Sequence, residues 1–160
     1  MIGEGHVNGW RVLFSVVAAL LFSIMPLPHA LAVLRPDLLL LVVIYWSLTA
    51  PRVAGLLFAW LCGLTIDALH GILLGQHALA FLLVAGFTHQ RQLRMRVSPI
   101  WQQAFVVFVW LAGYQALIFW IDGIVGQPVV SWMRWLPALT GALLWPIVVA
   151  MLDTWNRRRR

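Results

Sequence analysis

The sequence predicts an all-α integral membrane protein with six transmembrane helices and both termini on the cytoplasmic side. Three observations predict this fold class: an apolar composition, six apolar runs separated by breaks, and the placement of the arginines. Of the 160 residues, 62% are hydrophobic and 10% are charged, and the mean hydropathy is +0.90. Because soluble domains carry roughly 25% charged residues, this composition excludes soluble enzymes, nucleic-acid-binding domains and secreted disulfide scaffolds.

The six apolar runs have the length and spacing of membrane spans within a single domain that covers residues 1–160. A spanning helix needs about 20 mostly apolar residues, with a range of about 17 to 25. Segments rich in Pro, Gly or Arg separate the runs, as is typical of turns. The second run is short and is extended back past Pro36, which is tolerated in the first turn of a helix. The predicted spans are residues 10–25, 34–50, 53–69, 73–88, 100–121 and 135–153.

The positions of the arginines test this topology, because short cytoplasmic loops hold an excess of Arg. With six spans and a cytoplasmic N-terminus, only Arg35 and Arg134 lie outside. Five spans would put the Arg-rich loop and the C-terminal arginines on opposite sides. The C-terminal run is interpreted either as an anchor on anionic lipid or as a cytoplasmic protein contact. The residues predicted at the inner surface are Arg11, Arg52, Arg91, Arg94, Arg96, Arg157, Arg158, Arg159 and Arg160.

The first apolar run has a second interpretation, because Ala30-Leu31-Ala32 follows it and resembles the cleavage site of a secretory signal. Two observations favour a membrane span. The n-region of such a signal would carry only Arg11 against Glu4, which is too little positive charge for a secretory signal. Cleavage would also leave five spans with the poorer distribution of arginines.

No catalytic or metal-binding signature is present in the sequence. The five histidines do not have the spacing of metal ligands, and neither a nucleophile motif nor a phosphate-binding glycine loop occurs. We therefore predict that the protein is not an enzyme and uses no cofactor or metal. Membrane lipid is an expected partner and nucleic acid is not.

Small residues recur at four-residue intervals through the third run and its exit. They precede and follow one aspartate, and such rows allow two helix backbones to approach closely in a bilayer. The row is interpreted either as packing within the bundle of this chain or as a docking face for a partner helix. Its members are Gly55, Ala59, Gly63, Asp67, Gly71 and Gly75.

Asp67 is the charged residue of this row. The helical rise from Arg52 places it about 22 Å into a hydrocarbon core of about 30 Å, where a carboxylate should face protein or water and not lipid. We expect it to pair with His70 at i+3, or with Arg35 or Arg134 from the outer loops. A structural contact is favoured over a role in ligand binding or proton transfer.

A further motif, Arg35-Pro36-Asp37, reads as a turn and helix start, with Asp37 favourably placed at the positive end of the second helix. Set in order, the motifs of this chain resemble those of the MreD family, the small membrane subunit of the bacterial rod-shape and cell-elongation machinery. His70 is bulky where the family pattern leads us to expect a small residue. The motifs that carry the resemblance are Arg35-Pro36-Asp37 with the following apolar run to Trp46, the segment from Gly63 through Asp67 and Gly71 to Gly75, Trp101-Gln102-Gln103-Ala104, and Leu144-Trp145-Pro146.

The resemblance implies a non-enzymatic scaffold of six helices in the bacterial inner membrane, similar in architecture to the substrate-binding S-components of vitamin transporters. It also implies binding to an MreC-like single-span periplasmic protein. Through that partner the chain would be linked to an MreB-like cytoskeleton, a RodA-like glycosyltransferase and a class B penicillin-binding protein in lateral peptidoglycan synthesis. The competing function is a small-molecule-binding subunit of a transporter, for which the outer half supplies polar residues: Arg35, Asp37, Asp67, His70, Gln76, His77 and Asp122.

Overall fold

The computed structural model describes residues 9–26, 28, 34–71, 75–126 and 132–157. This part of the chain contains six α-helices and no β-strand, which confirms the prediction of an all-α protein. A 3-10 turn, Trp132–Trp135, leads into the last helix. The helices are α1 (Gly9–Ile24), α2 (Leu38–Thr49), α3 (Leu56–His70), α4 (Gln76–Val97), α5 (Ile100–Val125) and α6 (Leu136–Arg157).

Several helix ends differ from the predicted spans. Helix α2 begins at Leu38, so Pro36 precedes the helix and does not occupy its first turn. Helix α4 continues through the Arg-rich segment and stops just before Ser98 and Pro99. The hydrogen bonds of a helix join backbone groups and do not depend on the polarity of the side chains. A helix therefore continues past an apolar run until a residue such as Pro ends it.

Helix α2 lies at the centre of the bundle. It packs against α1, α4 and α6, with a smaller contact to α3. The ten consecutive residues from Leu39 to Leu48 are all buried. A helix that is apolar on every side has no face to present to water, so burial on all sides is the expected arrangement.

Polar side chains on α2 tie it to its neighbours. The indole Nε1 of Trp46 donates to the Ser15 hydroxyl on α1 at 2.7 Å. The Tyr45 hydroxyl donates to the Asp153 carboxylate on α6 at 2.6 Å. Because buried polar groups are costly without partners, these contacts set the rotation of α2 within its apolar surroundings.

Two helical stretches of the described chain are long and apolar enough to cross a bilayer. They are Ile100–Val125 and Trp132–Asn156, with hydropathies of 2.0 and 1.8. Helices α1, α2 and α3 are apolar but shorter. Large apolar side chains are exposed on the outer surface of the bundle, for example Phe105 at 66% and Leu143 at 77%.

Candidate functional site

A buried polar contact joins the end of α3 to the start of α4. Asp67 is completely buried. Its Oδ2 accepts the backbone N–H of Gly75 at 2.8 Å and of Ala78 at 3.3 Å. Its Oδ1 accepts the backbone N–H of His77 at 3.0 Å. The imidazole Nδ1 of His77 lies 2.8 Å from the same carboxylate oxygen. The carboxylate of one helix therefore caps the N-terminus of the next, where backbone donors and the helix dipole favour a negative charge.

Two glycines make this contact possible by their backbone conformation. Gly71 ends α3 with φ 63° and Gly75 precedes α4 with φ 103°. L side chains rarely adopt these left-handed conformations, and glycine adopts them without strain. A Cβ at either glycine would meet no atom within 4 Å. Gly71 and Gly75 thus belong to the small-residue row through turn geometry, and not through helix packing.

Gly63 is the member of the row where two backbones meet. A Cβ built there would lie 2.6 Å from the Ala78 nitrogen and 2.7 Å from the His77 carbonyl oxygen, closer than real contacts. Ala59, one turn earlier, is fully buried, whereas Gly55 forms the N-cap of α3. The contact between α3 and α4 is the most extensive between two helices of the described chain. The middle of the row therefore serves packing within this chain.

The predicted partners of Asp67 are wrong. The carboxylate binds the α4 backbone and His77, and not His70, Arg35 or Arg134. His70 lies on the exposed side of the last turn of α3, with its ring 6.3 Å from that of His77. A buried carboxylate does not require an opposite charge, because the N-terminus of α4 supplies hydrogen-bond donors to Asp67. The bulk of His70 is no obstacle to packing, because the close backbone approach is two turns away at Gly63.

A second polar cluster lies beside the first. The Gln76 amide donates to Oδ1 of Asp122 at 2.7 Å, and the other carboxylate oxygen accepts from Arg134. The Arg134 guanidinium also lies 5.9 Å from the centre of the Phe119 ring. This cluster joins α4, the end of α5 and the 3-10 turn. Arg134, one of the two arginines predicted on the outer side, is therefore paired with Asp122.

A cavity of about 110 Å³ lies between the ends of α1 and α3, the starts of α2 and α4, and the middle of α5. We call it the outer cavity, because it lies in the predicted outer half of the bundle. Its wall includes the polar residues Arg35, Asp37, His70, His77 and Tyr114. Asp67 does not line this cavity, since its oxygens are occupied by α4. The polar outer half predicted from sequence therefore consists of one open cavity and two closed networks.

Asp37 occupies the N-cap position of α2, but its side chain makes no capping hydrogen bond. Its Oδ2 accepts instead from the Gln115 amide on α5, at 3.5 Å. Asp37 therefore lies at the start of α2, as predicted, but it does not cap the helix with a hydrogen bond.

Tyr114, which also lines the cavity, was not singled out from the sequence. The feature that could have indicated it is its position beside Gln115, a polar residue in a long apolar run.

Arginines meet helix ends at the opposite end of the bundle. Arg96 donates to the carbonyls of Leu48 at 2.7 Å and Thr49 at 3.0 Å, the last of α2. Arg11 donates to the backbone and side-chain oxygens of Asn156 at 3.1 and 2.9 Å. Cations are favourable at helix C-termini. Among the other predicted basic residues, Arg91 and Arg94 are exposed, Arg157 ends α6, and Arg158, Arg159 and Arg160 lie outside the described residues.

Comparison with known proteins gives a consistent result over almost the whole chain. No solved structure matches it significantly. The rod shape-determining protein MreD of Haemophilus influenzae is 29% identical over 149 residues, which cover 93% of this chain and 92% of the relative. The model of the rod shape-determining protein MreD family matches residues 5–154. The chain belongs to the MreD family.

Proposed function

We propose that this chain is a non-enzymatic scaffold of the bacterial cell-shape complex that crosses the cytoplasmic (inner) membrane six times. The observation that carries the proposal is the match of residues 5–154 to a family of rod shape-determining proteins. In this role the chain binds an MreC-like single-span periplasmic protein. Through it, the chain is linked to an MreB-like cytoskeleton, a RodA-like glycosyltransferase and a class B penicillin-binding protein, and supports lateral peptidoglycan synthesis.

Polar contacts at the two ends of the bundle support six spans with both termini inside. Arg11 with Asn156 and Arg96 with the end of α2 join the start of α1 and the ends of α2, α4 and α6. At the other end, Asp67 joins the end of α3 to the start of α4, and Arg134 joins the end of α5 to the segment before α6. Successive helices therefore run in alternating directions, and the arginine excess lies at one end.

The short central helix is compatible with this proposal. Helix α2 has 12 residues, which is about 18 Å of helix and less than the roughly 30 Å of a bilayer core. Its side chains are buried by protein on all sides, so lipid does not need to match its length. The similarity of this arrangement to transporter S-components stays a prediction.

The size of the outer cavity favours a scaffold over a solute-carrying subunit. Sites for small molecules and cofactors enclose about 300 to 1,000 Å³, whereas this cavity encloses about 110 Å³. A vitamin-sized solute needs more room than that. Apolar side chains such as Phe22 and Phe81 take up part of its wall.

The topology is tested by labelling single cysteines. Cys62 is buried, so Cys62→Ala provides a background without thiols. Cysteines placed at Ser98, between α4 and α5, and at Gln127, after α5, are expected to react from opposite sides of the membrane with an impermeant maleimide. The two loops are predicted to lie on opposite sides of the membrane because α5 would cross the bilayer between them. Labelling of both positions from the same side would contradict six spans.

The scaffold role is tested by depletion and by affinity purification of the full-length chain. Depletion of the protein in a rod-shaped bacterium that depends on it is expected to give round cells, and re-expression is expected to restore rods. Mild solubilisation of the tagged chain should recover a single-span protein with a periplasmic domain. Recovery of a transporter ATPase module in its place would support the competing function and reject the scaffold.

A further inference from the structure

Arg35 presents an unsatisfied donor at the outer cavity. Its guanidinium lies over the Phe22 ring, 5.3 Å from the ring centre. Its Nη2 atom is buried, yet it has no hydrogen-bond partner among the described residues. Buried polar atoms in proteins are nearly always paired, and a guanidinium cannot lose its charge to avoid the problem. The wall of the cavity therefore contains a guanidinium with one buried donor that no described residue satisfies.

The neighbouring carboxylates of the described chain do not supply that acceptor. Asp67 accepts three backbone N–H groups and contacts the His77 ring. Asp122 is paired with Arg134 and Gln76. Asp37 is close enough to Arg35 for a charge interaction, but its hydrogen bond goes to Gln115. Among the described residues, no carboxylate accepts from Arg35 Nη2, which leaves this donor available to a group that enters the cavity.

The chemistry and size of the cavity select the group. The fork of N–H donors on a guanidinium matches the oxygens of a carboxylate or a phosphate, and the apolar part of the wall favours a carboxylate on a hydrocarbon stem. His70 and Tyr114 in the wall are further hydrogen-bonding groups. A volume of about 110 Å³ is well below the roughly 300 Å³ at which sites for small molecules begin. Phe22, Ile66 and Phe81 provide an apolar wall for a short hydrocarbon stem.

We propose that the outer cavity is a binding site for a single carboxylate group on a short apolar stem, held by Arg35. The carboxylate belongs either to a small free acid or to an acidic side chain inserted by a partner protein, and both present the same group. This site is independent of the scaffold role, since it would exist in a chain of either function.

The test uses the purified full-length protein in detergent and simple carboxylates as probes. Unfolding is followed with a thiol-reactive dye, because Cys62 is buried in the native state. Formate and acetate are expected to raise the melting temperature saturably at constant ionic strength set with chloride. Benzoate is expected to have little effect because its ring exceeds the cavity. No shift in the wild-type protein with any carboxylate would mean that water alone fills the cavity and would overturn the proposal.

Two variants separate the site from a general salt effect. Arg35→Gln should abolish the acetate shift. Arg134→Gln removes the other outer arginine, which contacts Asp122 and does not line the cavity, and should retain it. An equal shift in both variants would also overturn the proposal. If Arg35→Gln does not fold, Arg35→Lys keeps the charge without the fork and should weaken acetate binding, as measured by saturation transfer from the protein to the acetate methyl protons.

The source of the carboxylate is then read from the protein as purified from its host. A small acid released on denaturation of the wild-type chain, and absent from Arg35→Gln, identifies a free ligand. Acetate binding without any co-purified acid, together with loss of partner recovery in Arg35→Gln, identifies a side chain from a partner. Both results retain the carboxylate site.

Discussion

Replacing Gly63 with alanine is expected to lower the melting temperature of the detergent-solubilised protein by about 10 °C, which corresponds to about 3 kcal/mol for a chain of this size. The added Cβ would lie 2.6 Å from the Ala78 nitrogen and 2.7 Å from the His77 carbonyl oxygen. These are backbone atoms of α4, so neither can swing aside as a flexible side chain would. Gly63→Leu is expected to separate α3 from α4 and to remove most of the protein from the membrane.

Gly113→Ala is the matched control. Gly113 lies within α5, and a Cβ there would meet no atom within 4 Å. Because glycine in a helix interior is less favourable than alanine by about 0.5 to 1 kcal/mol, this variant should be as stable as the wild type or slightly more stable. Equal losses in the two variants would show that backbone contact at Gly63 is not the cause.

The same variants test whether the small-residue row serves as a docking face in addition to its packing within this chain. If Gly63 serves internal packing, partner binding is lost only together with folding. A Gly63→Ala protein that inserts and melts normally but no longer recovers its periplasmic partner would instead make the row a docking face. Affinity purification and thermal unfolding on the same preparation distinguish these two results.

Replacement of Asp67 is expected to have the second large effect. Asn keeps one acceptor oxygen but turns an NH₂ group toward donors on α4, so at least one backbone N–H becomes unpaired. We expect a loss of about 2 to 3 kcal/mol for Asp67→Asn. Asp67→Leu leaves all the donors that reach the carboxylate without an acceptor. The loss in free energy of unfolding is expected to exceed about 4 kcal/mol, with loss of protein from the membrane.

Coupling between variants identifies the partner of Asp67. The losses for Asp67→Asn and His77→Ala should not add, because the two side chains share a hydrogen bond. The losses for Asp67→Asn and Arg134→Gln should add, since Arg134 pairs with Asp122. Thr65→Val, an exposed change on the same helix, should stay within about 0.5 kcal/mol of the wild type. Coupling of Asp67 to Arg134 instead would restore the partner first predicted from sequence.

The cavity and the Asp67 contact show where sequence reasoning stopped. The sequence singled out Arg35, Asp37, His70 and Asp67 as polar residues of the predicted outer half of the bundle, but it treated them as a single group. Depth along a helix can be counted at 1.5 Å per residue, whereas rotation and the positions of neighbouring helices cannot. Only the folded chain separated Arg35 at the cavity from Asp67 in its closed network.

Composition and periodicity by themselves determined the class of this protein. Apolar runs of helical length, broken by Pro and Gly, specify an all-α fold because backbone groups among apolar side chains must bond within their own helix. The motifs around Arg35, Asp67 and Trp101 sufficed for the family. Tertiary structure alone decided that α2 is the central helix, that Gly63 lies against Ala78, and that α4 backbone donors hold Asp67. Those outcomes depend on contacts between residues distant in the chain, and a local pattern carries no information about which distant groups will meet.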